Sequence, residues 1–176
     1  MKKTKSLSYL LVPDLMFEKF DDITPEFLLS RNITTILVDI DNTLAPYEEA
    51  LPNERVIAYF KALSQAGIKV ALVSNNNSKR VTLFNSTLSV PAYANCYKPN
   101  KKKLLTVMRE LGSAAENTAA VGDQLFTDAL GAHLAGIPAF IVPPIKDKKS
   151  LFFKFKRALE APYIKKYRKL NASESN

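Results

Sequence analysis

The stretch from Thr34 to Leu44, which reads TTILVDIDNTL, decides the fold class of this 176-residue chain. Its first half, Thr34 to Val38, is a continuous β-branched and apolar run without the alternation of a half-exposed strand. Such runs are typical of the central strands of parallel sheets, which are buried on both faces. Asp39 and Asp41 follow directly. The stretch therefore predicts a buried strand whose carboxyl end presents acidic groups.

The same unit, a buried strand followed by a helix, recurs along the chain. We predict strands over residues 34–38, 68–73, 92–94, 118–121 and 139–142, and helices over residues 27–30, 53–65, 78–88, 100–111 and 127–135. Thr24, Pro25 and Glu26 form a helix start, and Gly67 and Gly136 end two helices. Strands alternating with helices of this length need right-handed crossovers. The predicted fold class is α/β, a doubly wound (Rossmann-like) parallel sheet in three layers.

Composition limits the class of protein and its compartment. Hydrophobic residues make up 47% and charged residues 24% of the chain, close to the averages of soluble globular domains, which excludes a disordered or fibrous chain. The single cysteine, Cys96, cannot form an internal disulfide, so we expect a reducing compartment. Pro13 interrupts the apolar start, and no apolar run reaches the roughly 20 residues of a membrane span. We expect a cytoplasmic protein, either free or peripheral at the inner face of the membrane.

The net charge of +8 comes from one segment near the C-terminus. Residues 146–170 carry ten cations and two anions, whereas the rest of the chain, which includes the predicted catalytic domain at 1–145, is balanced. Pro162 separates two apolar arcs at helical spacing, so we predict two basic amphipathic helices. The arcs comprise Leu151, Phe152, Phe155, Ala158 and Leu159 in the first helix, and Tyr163, Ile164, Tyr167 and Leu170 in the second.

Such helices have two alternative uses. They bind an anionic membrane surface through their cations, or they pack their apolar arcs on the domain and leave a solvated basic face. The two uses are compatible if only the charged face meets lipid. Residues 171–176 are predicted to be a disordered tail.

Polar residues follow the ends of four predicted strands. They are Asp39 and Asp41 after the first strand, Ser74 after the second, Lys98 after the third, and Gly122, Asp123 and Asp128 after the fourth. Ligands of open α/β sheets bind beyond the carboxyl ends of the strands. Several carboxylates brought together require a cation, and Mg²⁺ is the hard cation that carboxylates and phosphate oxygens usually hold. With Lys98 and Ser74 as donors to a phosphate, the pattern predicts a phosphoryl-transfer site.

These four groups, in this order, resemble the four motifs of the haloacid dehalogenase (HAD) superfamily over residues 24–145. The resemblance implies that Asp39 is the nucleophile, which accepts the phosphoryl group as an aspartyl-phosphate, and that Asp41 is the general acid and base. It also implies a Mg²⁺ site. The implied metal ligands are Asp39, the backbone carbonyl of Asp41, and Asp123; the implied phosphate contacts are Thr43, Ser74, Asn75 and Lys98; and Asp128 orients metal-bound waters or Lys98.

Ordinary structural roles are the alternatives at these positions. An aspartate at a strand end often caps the next helix, and an acid in a first turn, such as Asp128, complements the helix dipole. Ser74 and Asn75 also suit a turn. Lys98 lies beside three further lysines and is alternatively a surface residue. His133 and Cys96 are assigned structural roles, the latter as a small buried side chain.

The intervals between the motifs limit the access to the site. Residues 42–73 and 75–97 are each filled by a loop, a helix and a strand, which leaves no room for the cap domain that HAD phosphatases commonly insert there. We therefore expect an open site that admits a bulky or surface-bound phosphomonoester.

Within the superfamily, the compact chain with its basic C-terminal segment resembles the YqeG-type phosphatases of subfamily IIIA. These are similar to the enzymes that dephosphorylate phosphatidylglycerophosphate, so the resemblance implies an anionic phospholipid headgroup as substrate. One alternative is a soluble phosphomonoester, such as a sugar phosphate or a nucleotide. An alternative of another class is a nucleic-acid-binding module that uses the basic segment. We expect no nucleic-acid partner, because the remainder of the chain is neutral.

Overall fold

The computed structural model, which describes residues 7–146 and 151–174, contains one six-stranded sheet whose paired strands are all parallel. The strands are β1 (Leu15–Met16), β2 (Thr35–Val38), β3 (Lys69–Val73), β4 (Ala92–Tyr93), β5 (Thr118–Gly122) and β6 (Ala139–Ile141). Their order across the sheet is β1-β6-β5-β2-β3-β4. The predicted α/β class with a parallel sheet is confirmed.

Helices cover both faces of the sheet. They are α1 (Leu7–Leu10), α2 (Pro25–Ser30), α3 (Glu54–Gln65), α4 (Ser78–Asn85), α5 (Lys101–Glu110), α6 (Leu130–Ala135) and α7 (Leu151–Glu174), with a π-helical turn, Leu125–Ala129, before α6. The β2 strand shows why helices are needed on both faces of the sheet, since all four of its residues are buried. Ile36 and Val38 join the core beneath α3 and α4, whereas Leu37 joins the core beneath α5 and α6. This is the predicted three-layer arrangement.

Short polar side chains fix the starts of four helices, because each accepts a hydrogen bond from a backbone N–H of the first turn. The pairs are Thr24 with Phe27 at 3.2 Å, Asn53 with Val56 at 3.1 Å, Asn77 with Arg80 at 3.0 Å and Asn100 with Lys102 at 3.0 Å. The predicted start at Thr24 and Pro25 is confirmed.

The N-terminal part of the described chain adds two elements that the sequence pattern did not predict, α1 and the edge strand β1. In the β1–β6 pair, Leu15 lies opposite Phe140 and Met16 opposite Ile141. His133 ties this region to α6 through a 2.6 Å contact with the Leu10 carbonyl and a 2.7 Å contact with Asp14 Oδ2. Residues 15–16 lie within a longer apolar stretch, so no strand period marks them in the sequence.

The predicted pair of C-terminal helices is wrong: α7 is one continuous helix with Pro162 inside it. A proline removes one backbone donor and crowds the carbonyl of the residue four positions earlier, here Ala158. Both Ala158 and Pro162 are exposed, so water can satisfy that carbonyl. The predicted disorder from residue 171 is also wrong as far as Glu174, where α7 ends.

The apolar arcs of α7 have two different outcomes. Tyr163 and Ile164 pack against the core beneath α5 and α6, as the packing alternative predicted. Phe155 and Leu159 are exposed. Some predictions for this segment lie outside the described side chains. They concern the apolar residues Leu151 and Phe152 and the cations at 148, 149, 154 and 156.

The intervals that could have held a cap domain contain only elements of the main sheet and its helices. Residues 42–73 hold α3 and β3, and residues 75–97 hold α4 and β4. The predicted absence of a separate cap is confirmed for these intervals. Among the described helices, none is both long and apolar enough to cross a membrane.

Candidate active site

The loop after β2 places two aspartates at the carboxyl edge of the sheet. The Asp39 N–H donates to the Val121 carbonyl at 2.9 Å, which extends the β2–β5 pairing by one residue beyond the strand. The chain then turns back, with Asn42 in the left-handed region at φ 66° and its N–H donating to the Ala45 carbonyl at 2.7 Å. Asparagine is one of the few residues besides glycine that adopt this conformation readily. The tight turn follows Asp41 immediately.

Lys98 joins two carboxylates of the site. Its Nζ donates to Asp39 Oδ1 at 2.8 Å and to Asp128 Oδ1 at 2.6 Å, and its side chain is only 4% exposed. The Asn75 side chain fixes the backbone of Lys98 from both sides, since Asn75 Nδ2 donates to the Lys98 carbonyl at 3.0 Å and Asn75 Oδ1 accepts from the Lys98 N–H at 2.6 Å. The alternative of a surface lysine is therefore wrong.

Gly122 allows Asp128 to approach the end of β5. A Cβ at position 122 would lie 2.3 Å from Asp128 Cγ, a distance that no side chain tolerates. The second oxygen of Asp128 accepts the Gln124 N–H at 3.1 Å. Asp128 is thus a buried partner of Lys98 as well as an acid at a helix start.

Burial controls the protonation of these groups. Burial raises the pKa of Asp39 to about 8, although Lys98 opposes this shift and the carboxylates of Asp128 and Asp123 add to it. Burial and the Asp128 charge also raise the pKa of Asp123, against the lowering effect of Arg157. Burial alone would lower the pKa of Lys98, but Asp128 and Asp39 more than offset it and hold this pKa above its ordinary value. The cluster carries more negative charge than Lys98 can balance.

A divalent cation fits this cluster. Asp39, Asp123 and Asp128 each offer one carboxylate oxygen, and these oxygens lie within 4.8 Å of one another. Asp123 Oδ1 is buried and has no hydrogen-bond partner among the described residues. An unpaired buried carboxylate oxygen is costly, and oxygen donors of this kind are the ligands of hard cations. The residues present therefore suit a divalent metal.

Asp41 lies in a different setting, held by two side chains of the segment after β3. Asn76 Nδ2 donates to Asp41 Oδ2 at 3.0 Å, and Arg80 Nε donates to Asp41 Oδ1 at 3.1 Å. Arg80 is itself fixed by the carbonyls of Glu49 at 2.6 Å and Ala50 at 3.1 Å. The sequence analysis missed both Asn76 and Arg80, because contacts across 35 and 39 residues leave no local pattern.

Most of these groups line a cavity of about 340 Å³, although Asp123 and Arg80 are not among its lining residues. Of the predicted site residues it collects Asp39, Asp41, Ser74, Asn75, Lys98 and Asp128, and it adds Tyr47, Asn76, Gln124 and Thr127. Ser74 is buried, and its Oγ accepts the Asn76 N–H at 3.0 Å. Thr43 lines a separate, largely apolar cavity and not this one, with its Oγ1 buried and unpaired among the described residues.

A further contact reaches the site from α7. Arg157 donates to the backbone carbonyl and to the carboxylate of Asp123, and the buried Glu160 accepts from Arg157. The sequence predicted that the cations of this segment face either an anionic membrane surface or solvent, and neither Arg157 nor Glu160 was predicted to be a neighbour of the site. No spacing rule connects position 157 to position 123.

Comparisons with known proteins agree with this geometry. A family model described as haloacid dehalogenase-like hydrolase matches residues 13–136. The chain is 34% identical over 154 residues to a protein of Bacillus subtilis strain 168 named "Probable phosphatase YqeG", and the match covers 88% of this chain and 90% of that protein.

Two solved structures share the fold. One is the cobalt-bound deoxy-D-mannose-octulosonate 8-phosphate phosphatase of Haemophilus influenzae, with a TM-score of 0.53 and 20% identity over 78% of this chain and 90% of that one. The other is CbbY of Rhodobacter sphaeroides in complex with phosphate, with a TM-score of 0.53 and 15% identity over 68% of this chain and 90% of that one. The chain therefore belongs to the haloacid dehalogenase-like hydrolases, and it is a phosphatase of that family.

Proposed function

We propose that the chain hydrolyses phosphomonoesters in two steps through an aspartyl-phosphate on Asp39. The observation that carries this proposal is the separation of two neighbouring aspartates: Asp39 is paired with Lys98, whereas Asp41 is held apart by Asn76 and Arg80. One carboxylate is thus placed to bond phosphorus while the other is free to move a proton.

In the first step, a carboxylate oxygen of Asp39 forms a bond to phosphorus as the bond from phosphorus to the alcohol oxygen breaks. The protonated Asp41 gives its proton to the leaving oxygen. In the second step, Asp41 removes a proton from water, whose oxygen bonds to phosphorus, and the bond from phosphorus to Asp39 breaks. Inorganic phosphate leaves, and both aspartates return to their starting states.

Lys98 and Ser74 are the proposed phosphate contacts, since both line the cavity beside Asp39. Asn75 acts on phosphate through Lys98, because both ends of its amide are engaged by the Lys98 backbone. We propose Asp39, the Asp41 backbone carbonyl and Asp123 as the ligands of Mg²⁺, with Asp128 holding Lys98. When bound, the cation neutralises the carboxylates and draws negative charge from the phosphoryl oxygens.

We further propose phosphatidylglycerophosphate, presented at an anionic membrane surface, as the substrate. Two features support this proposal: the described residues form no cap domain over the cavity, and α7 exposes apolar and basic side chains together. Phe155 is 63%, Leu159 46% and Leu170 45% exposed. The exposed cations of the same helix include Lys165, Arg168 and Lys169. Exposed apolar side chains beside cations are typical of helices that lie in the headgroup region of a bilayer.

The test measures phosphate release from phosphatidylglycerophosphate in mixed micelles with Mg²⁺, beside release from soluble p-nitrophenyl phosphate. We expect wild-type turnover of both substrates, and turnover of neither by Asp39→Asn. Equal release by wild type and Asp39→Asn would contradict the nucleophile assignment. Release from the soluble ester alone would refute the lipid substrate and leave the phosphatase chemistry standing.

A charge-reversal variant tests the membrane contact separately from the phosphatase chemistry. The double variant Lys165→Glu and Lys169→Glu reverses two exposed charges, each worth roughly 1 kcal/mol near an anionic surface before salt screening. We expect slower turnover in anionic micelles and unchanged turnover of p-nitrophenyl phosphate. Equal loss on both substrates would contradict a surface role, and salt-dependent binding to RNA but not to vesicles would favour the nucleic-acid alternative.

A further inference from the structure

The C-terminal helix α7 contacts the acidic cluster through one arginine. Arg157 Nη1 donates to the Asp123 backbone carbonyl at 2.8 Å, and Arg157 Nη2 donates to Asp123 Oδ2 at 2.6 Å. Both donors of the guanidinium fork therefore engage a single residue. A planar fork with two bonds fixes the orientation of its partner more tightly than a single donor does.

Glu160, one turn later on α7, completes the contact. Its Oε2 accepts from Arg157 Nη1 at 2.7 Å, and its Oε1 accepts the backbone N–H of Leu125 at 2.9 Å. The side chains of Glu160 and Asp123 are fully buried, and that of Arg157 is 27% exposed. The pair thus holds the backbone on both sides of Gln124, at positions 123 and 125.

The positive charge of Arg157 and its orienting effect on Asp123 would have opposite effects on the affinity of the site for a metal. A lone arginine would repel a divalent cation, but the buried Glu160 balances the charge of Arg157. What is left is the effect on geometry: Asp123 Oδ2 is engaged by Arg157, and Asp123 Oδ1 has no partner among the described residues. Arg157 and Glu160 together therefore add no net charge beside the cluster, and they leave Asp123 Oδ1 available to a metal.

We propose that Arg157 and Glu160 are positioning residues for the metal carboxylate Asp123, so that α7 is part of the active site and not only a surface attachment. The proposal rests on the metal-dependent function proposed above. Groups that orient metal ligands without touching the metal typically change metal affinity 10- to 100-fold when they are lost. Detachment of α7 from the domain would accordingly weaken the metal site.

The test measures the dissociation constant of Mn²⁺ for the full chain without substrate, from the electron paramagnetic resonance signal of the free ion. Carboxylate sites accept Mn²⁺ in place of Mg²⁺. We expect Arg157→Ala to raise the constant about tenfold or more. Arg157→Lys keeps the charge but cannot span the backbone carbonyl and the carboxylate of Asp123 as the guanidinium does, so it should recover only part of the affinity.

Two controls separate positioning from general damage. Arg109→Ala removes an exposed arginine from α5 and should leave the constant unchanged. Tyr167→Phe removes the 3.0 Å hydrogen bond that the Met16 N–H donates to Tyr167 Oη, so it should lower the melting temperature and leave metal affinity intact. Circular dichroism checks that each variant is folded, and Arg157→Lys serves if Arg157→Ala is not.

The Mn²⁺ affinities of the Arg157 variants decide whether Arg157 positions Asp123. Wild-type affinity in Arg157→Ala, or full recovery in Arg157→Lys, overturns it. Tighter binding by Arg157→Ala also overturns it, because Arg157 would then be a cation that competes with the metal. If wild-type protein binds no Mn²⁺, the metal-dependent function itself fails, whereas wild-type binding with unchanged variants refutes only the positioning role.

Discussion

Asp39 and Asp41 stand two positions apart on one loop and are buried alike, at 7% and 5% exposure, yet their surroundings differ. Asp39 shares Lys98 with Asp128 and lies in the acidic cluster. Asp41 accepts an amide donor from Asn76 and a guanidinium donor from Arg80. Burial therefore does not distinguish the proposed nucleophile from the proposed general acid and base. The partners do: those of Asp39 follow β4 and β5, whereas both partners of Asp41 follow β3.

Loss of Asp39 should have the largest effect. Asp39→Asn replaces the nucleophilic carboxylate by a neutral amide and should lower kcat by at least about 10⁴-fold, because an amide is a far weaker nucleophile. Phosphate release from p-nitrophenyl phosphate measures the loss. Mn²⁺ binding by the same variant shows whether the metal site persists, and residual activity within tenfold of wild type would contradict the assignment.

Loss of Asp41 should cost less and should depend on the leaving group. Asp41→Asn removes general acid and base catalysis, which is worth about 10²- to 10⁴-fold. The loss should be larger with an alkyl phosphate than with p-nitrophenyl phosphate, whose leaving group needs little protonation. Comparison of kcat/KM for the two esters checks this, because kcat/KM reports the phosphorylation of Asp39 and not the hydrolysis step that both esters share. Equal losses of kcat/KM on both would count against Asp41 as the acid.

Loss of Arg80 tests whether orientation of Asp41 matters. Arg80→Ala should lower kcat by roughly 10- to 100-fold, because small displacements of a catalytic group have effects of this size. Lys79→Ala, which removes the exposed cation one position earlier, is the matched control. A change in the pH profile of kcat with Arg80→Ala, absent with Lys79→Ala, would distinguish positioning of Asp41 from general destabilisation.

The smallest expected effect is on stability without metal. The folded-state pKa of Asp39 is raised from 3.8 to about 8, so the protonated form favours folding and that stability is lost as the pH rises through about 8. Asp39→Asn carries no such charge. The melting temperature of the variant, relative to wild type in chelator, should therefore rise by roughly 10 °C between about pH 5 and about pH 9. A difference in melting temperature that does not change with pH would show that folding does not favour the protonated form of Asp39.

The sequence predicted the parts of the site that lie at strand ends. The run before Asp39 predicted a central strand, and parallel topology then required Ser74 and Asp123 to reach the same edge as Asp39. Arg80 and Arg157 could not be found this way, since each depends on how a helix packs on the domain. Pro162 predicted a break between two helices that is not present, because its exposure inside α7 lets the helix continue.

Chemical trapping of the intermediate tests the central claim most directly. Asp41→Asn is mixed with p-nitrophenyl phosphate, quenched in acid and reduced with borohydride, which converts an aspartyl-phosphate to homoserine. Formation of the intermediate needs little acid with this ester, whereas its hydrolysis lacks the base. Peptide mass spectrometry should find homoserine at position 39 and only in the presence of substrate. Homoserine at another aspartate, or none while the burst of p-nitrophenol proceeds, would contradict nucleophilic attack by Asp39.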